Sequence, residues 1–201
     1  MLLSFVRKVY CISILCFLNI ASFAQNVASV NGKSISSKEF MWVYKKNHAG
    51  VASASYQELA AYLDLYINFK LKVIDAKGMG LDVDTAYKKE INGYEQALKA
   101  QKKASPKNIE YNFIMNEYRE GVLMFNVSEK KVWSKVQDND SQLRDFYSKY
   151  INKYDGKGFD EVKGQVIADY QQNLEDDWIR LLKLKYTVKV NDDELRKLAK
   201  L

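Results

Sequence analysis

Cysteine is nearly missing from this chain of 201 residues: there are two, Cys11 and Cys16, both close to the start. There is one histidine, His48, one proline, Pro106, and nine glycines. Without thiols beyond residue 16 the body of the chain has no disulfide staple and no thiolate for zinc or for nucleophilic attack. A Ser-His-Asp arrangement would have to use His48, in the turn Asn47-His48-Ala49-Gly50, and no Gly-x-Ser-x-Gly elbow accompanies it. Asp138, Asp140, Asp176, Asp177, Asp192 and Asp193 lack the spacing of a calcium loop. Gly78-Met79-Gly80 lacks the lysine and the length of a phosphate loop. A fold without staples, metal or cofactor has to be held by an ordinary apolar core.

Long apolar runs are scarce too, and the one at the start is short. Residues 1–24 carry Arg7 and Lys8, then an apolar run over 9–20, then small Ser22 and Ala24. Those are the three zones of a secretory signal peptide, with cleavage expected after Ala24 and the periplasm as destination. Leu15 before Cys16 argues against a lipoprotein. Both cysteines leave with such a leader, and losing Arg7 and Lys8, with no acid in that stretch, takes the net charge from +6 to +4. Mild basicity spread over many lysines is not the stripe of a nucleic-acid binder, so no nucleic acid is expected as partner.

What the chain does have is helical periodicity and aromatic residues. One β element opens the mature part: Val27-Ala28-Ser29-Val30 and Lys33-Ser34-Ile35-Ser36 flank Asn31-Gly32, a dipeptide suited to a two-residue hairpin turn. Tyr186, Val188 and Val190 alternate with polar residues as a late strand, expected to pair with the hairpin because two strands alone are marginal. Between them, Ser36 with Glu39 and Ser55 with Glu58 have capping-box spacing. Gly78 and Gly80 end the second helix, Asp84 caps a third, and helices over 109–125, from Ser128, from Asp140 or Ser141 and after Gly156-Lys157-Gly158 follow. Asn191 with Glu194 caps a last short one. The fold class is mainly α, a multi-helix body with a small antiparallel sheet of the early hairpin and the late strand. Pro106, after the lysine-rich stretch 99–103, marks a boundary between blocks 25–105 and 106–201.

The segments Val27-Ala28-Ser29-Val30-Asn31-Gly32-Lys33-Ser34-Ile35-Ser36 and Tyr62-Leu63-Asp64-Leu65-Tyr66-Ile67-Asn68-Phe69-Lys70 resemble the amino-terminal chaperone region of SurA-like periplasmic peptidyl-prolyl isomerases. Glu117-Tyr118-Arg119-Glu120-Gly121, Ser128-Glu129-Lys130-Lys131-Val132-Trp133 and Phe159-Asp160-Glu161-Val162 resemble the segment after that family's last isomerase domain. In longer members a parvulin domain with paired histidines separates the two. Here residues 99–108 alone join them, which is too little chain for a catalytic domain. The resemblance therefore implies the chaperone portion, not an enzyme. Its partners would be unfolded polypeptides, outer-membrane protein precursors above all, bound without cofactor or ATP. Fourteen tyrosines, nine phenylalanines and three tryptophans supply amphipathic surface for that task. Tyr62, Tyr66, Phe69, Met79, Met115, Met124 and Phe125 are the candidate peptide-binding residues, methionine because its soft side chain repacks against varied partners. An adaptor or a homodimer using the same surface is the alternative, and a prolyl isomerase by family name the remaining one.

Overall fold

The computed structural model describes residues 26–50, 53–100, 108–137 and 140–200. The leader and Pro106 lie outside the described residues. The chain forms β1 (Asn26–Val30), β2 (Lys33–Ser36), α1 (Ser37–Asn47), α2 (Tyr56–Gly78), α3 (Thr85–Ala100), α4 (Ile109–Ser128), α5 (Ser134–Gln137), α6 (Asp140–Lys149), α7 (Phe159–Lys185), β3 (Val188–Val190) and α8 (Asp192–Leu198). The body is mainly helical with one small antiparallel sheet in the order β2-β1-β3, as the sequence predicts. Two compact units divide it: residues up to Ile67 together with Thr187 onward, and Asn68 to Tyr186.

In the first unit the hairpin turn takes positive φ at both Asn31 (49°) and Gly32 (77°), the geometry that favours this dipeptide. Ala28 pairs with Ile35 on one side and with Val190 on the other, so the late strand does join the early one. Val27, Ala28, Val30 and Ile35 are buried with Phe40, Val43, Leu59, Leu63 and Leu195. Phe40 is wholly inaccessible, its ring 5.9 Å from that of Tyr62 and 6.3 Å from that of Tyr66.

The caps explain where these helices begin. Glu39 N–H donates to Ser36 Oγ at 3.1 Å, while the Glu39 carboxylate accepts from Tyr66 Oη at 2.7 Å. At α2 the box closes on itself: Glu58 N–H donates to Ser55 Oγ, and Ser55 N–H donates to Glu58 Oε2 at 2.7 Å. Those bonds, the backbone one first, hold the Glu58 carboxyl below its ordinary range. Glu194 N–H donates to Asn191 Oδ1 at α8, and the buried Glu194 carboxylate accepts from Ser37 Oγ at 2.7 Å.

The second unit is built by long helices. Ile91, Leu98, Tyr111 and Met115 make one buried cluster between α3 and α4. Val136, Leu143, Tyr154, Phe159, Val162 and Val166 make another around α6 and α7. The sequence places a helix start at Ser128, and there the structure differs. α4 passes into a π-turn, Glu129–Trp133, and on into α5, and Ser128 Oγ lies 3.6 Å from Met124 Sδ instead of capping. A π-turn inserts one residue into the helix and rotates everything after it. Here the new phase buries Val132 and aims Lys131 at Asp75, Nζ to Oδ2 3.5 Å. The late strand is also shorter than expected, because Tyr186 N–H still donates to Leu182 O and so closes α7.

Candidate polypeptide-binding surfaces

The seven candidate residues separate by burial and by unit. In the first unit Tyr66 is buried and its hydroxyl is held by Glu39. Tyr62 is half-buried: its hydroxyl accepts from Asn47 Nδ2 at 2.6 Å and its ring meets those of Tyr44 and His48 edge-on at 5.2 Å. His48 is exposed at the C-terminal end of α1, its ring stacked on Tyr44 at 4.1 Å. In the second unit Met115 is a core residue, 1% exposed, whereas Phe69 and Met124 are half-buried. Met79 and Phe125 are open to solvent, Phe125 by 55%. The Trp133 ring, at the end of the π-turn, stands edge-on to Phe125 at 5.0 Å, a favourable aromatic geometry.

Other exposed apolar side chains escaped the sequence reading. Leu181 and Leu184 on α7, Val83, Ile109 and Ile151 are all largely exposed, Leu184 most of all at 76%. Leu184 lies off the stripe that helical spacing sets up along α7, Val162, Val166, Tyr170, Leu174, Trp178 and Leu181. Leu181 belongs to that stripe, but burial passes to Leu182 as α7 turns.

The helices that carry these groups in the second unit are pinned by a polar layer. Asp75 on α2, almost buried, accepts from Trp178 Nε1 on α7 at 3.0 Å, with Lys185 Nζ at 3.7 Å on its other oxygen. One turn earlier Lys72 pairs with Glu175 and sits 5.4 Å from the centre of the Trp178 ring, and burial pulls its ammonium below the ordinary lysine value. Lys70 pairs with Glu120 of α4 at 2.5 Å. On the α3–α4 face Tyr94 and Tyr118 stack at 3.6 Å, Tyr118 Oη donates to Glu90, and Tyr111 Oη donates to Glu95. Burial raises Tyr111 and Tyr118 above the ordinary phenol value, with their carboxylate partners adding to it. Such charge-assisted bonds fix helix against helix where greasy contact alone would slide.

In the first unit a groove of about 390 Å³ crosses the sheet, with Ser29, Ser34, Lys189, Val190, Asp192 and Asp193 among its walls. Among the described residues no helix is long and apolar enough to cross a membrane, and no group of three His, Cys, Asp or Glu side chains is placed to share a metal ion. Compared with known proteins, the chain matches no family model and no curated protein, so the likeness to SurA-like chaperones is carried by the quoted motifs alone.

Proposed function

We propose that this protein is an ATP-independent holdase of the periplasm that binds unfolded exported polypeptides, outer-membrane protein precursors above all. The observation that carries the reading is Phe125, half-exposed on a long helix with Trp133 edge-on beside it, and Leu181 and Leu184 exposed on a second long helix. Large apolar side chains left in water gain by burying that surface when an unfolded chain settles on them. Barrel precursors suit them because their strands alternate apolar and polar residues and expose unpaired edges before closure. Weak contacts at several points lower the free concentration of aggregation-prone chain and still let it go.

The test is the aggregation of a urea-unfolded outer-membrane barrel protein on dilution, followed by light scattering. Near-stoichiometric protein suppresses the scattering, and Phe125→Ser combined with Leu184→Ser weakens the suppression while leaving the circular dichroism unchanged. Undiminished scattering in the presence of the parent protein refutes the proposal. A closed dimer at working concentration that binds no unfolded chain favours the adaptor reading instead.

A further inference from the structure

The β1–β3 ladder fixes which backbone groups of β3 are spoken for. Asn31 N–H donates to Thr187 O at 2.7 Å and Asn191 N–H donates to Val27 O at 2.8 Å, so residues 187, 189 and 191 turn their backbone groups toward β1. By the alternation of an antiparallel ladder, the N–H and C=O of Val188 and Val190 point the other way. Among the described residues nothing takes them up. Val190 itself is 49% exposed. The opposite edge is not equivalent, because β2 runs at Ser36 straight into α1, whose first turn Ser36 caps.

Two copies of β3 pairing edge to edge about a two-fold axis would set Lys189 directly opposite Lys189, and like charges so placed repel. A lysine in the middle of an edge strand is a device against self-pairing. The same lysine attracts an acid. A strand laid beside β3 continues the sheet with apolar residues opposite Val188 and Val190, on the face of Ala28, Val30 and Ile35, and with its central residue opposite Lys189 on the face of Ser29 and Ser34. Beyond Val190 it meets Asp192 and Asp193, both exposed at the groove wall, Asp192 accepting from Tyr56 Oη at 3.1 Å.

We propose that the outer edge of β3 captures an extended segment of client polypeptide of the pattern apolar-acidic-apolar, flanked by a basic residue, as a fourth strand of the sheet. This rests on the holdase reading and names the segment class it selects. The free backbone groups supply main-chain bonds indifferent to sequence, and the charges at Lys189, Asp192 and Asp193 choose among segments.

The probe is a labelled peptide Ser-Lys-Val-Glu-Val-Lys-Ser, titrated at low ionic strength into the full chain by fluorescence anisotropy, against the charge-inverted Ser-Glu-Val-Lys-Val-Glu-Ser. The first binds at least about fivefold tighter, the scale of one cross-strand charge pair. Lys189→Glu removes that preference, and N-methylation of the two peptide valines, which leaves the protein untouched, abolishes binding. The amide resonances of Val188 and Val190 move on titration. Equal binding of the two peptides, binding that survives N-methylation, or shifts confined to other residues overturns the proposal. Aggregation suppression by the parent protein in that case leaves the holdase reading standing, whereas its loss with peptide binding intact removes the holdase reading alone.

Discussion

Asp75 is the residue whose removal tests most directly how the second unit is held together. It is 7% exposed and accepts the Trp178 Nε1–H at 3.0 Å, with Lys131 and Lys185 at 3.5 and 3.7 Å. The lysine side chains are 36% and 61% exposed, so each ion pair is worth less than about 1 kcal/mol. The indole bond is different, because a hydrogen bond to a charged acceptor is worth ~1.5–3 kcal/mol and an orphaned buried donor costs ~1–3 kcal/mol. Asp75→Ala loses the first and suffers the second, for a total near 2–4 kcal/mol, since the two overlap. At roughly 2–4 °C per kcal/mol for a chain of this size, the Tm falls by roughly 5–15 °C. Asp75→Asn keeps an acceptor for the indole but a neutral one, worth ~0.5–1.5 kcal/mol in place of ~1.5–3 kcal/mol, and sheds the attraction to two exposed lysines, so its loss is about 1–2 kcal/mol and smaller than that of Asp75→Ala. Urea unfolding followed by far-ultraviolet circular dichroism measures both, and a cycle with Trp178→Phe yields a coupling of about 1–2 kcal/mol. An Asp75→Ala protein within about 0.5 kcal/mol of the parent, or an Asn variant as damaged as the Ala one, refutes the reasoning.

Two further outcomes follow from single positions. Gly93 in α3 and Gly164 in α7 are exposed mid-helix residues where an added Cβ meets nothing within 4 Å, so Gly93→Ala and Gly164→Ala each stabilise by about 0.5–1 kcal/mol, read as a higher urea midpoint. Tyr154 is buried, and burial first, then the Asp169 carboxylate, pushes its phenol up to about 12. The folded protein thus holds that proton more tightly than the unfolded chain: the stabilisation is complete below the ordinary phenol value near 10 and is lost as the pH rises through about 12. Ultraviolet difference titration then shows a last tyrosine step near that pH, and Tyr154→Phe removes it.

Local chemistry was the legible part. Asn31-Gly32, the Ser55 and Glu58 box, Asn191 with Glu194, and Gly80 with its φ of 73° are each decided by neighbours within four residues, and the sequence displays those neighbours side by side. The π-turn was not legible, because Glu129–Trp133 has the composition of an ordinary helix, and the contact that Lys131 makes from it, with Asp75, joins positions 56 apart. Among the candidate surface residues the same limit applies. Met115 and Phe125 both read as large apolar positions on one helix of several apolar faces, yet one is 1% and the other 55% exposed.

By itself, then, the sequence determined the periodicity of the helices, their caps and turns, and the partnership of an early hairpin with a late strand, since capping, turn geometry and the need to cover two strands act over short range or through simple alternation. Only the tertiary structure decided which aromatic faces stay in water, which carboxylate becomes the buried anchor of Trp178, and which edge of the sheet is left open. Those depend on the phase at which one helix meets another and on what happens to lie beside a strand, and neither is written in any local stretch of residues.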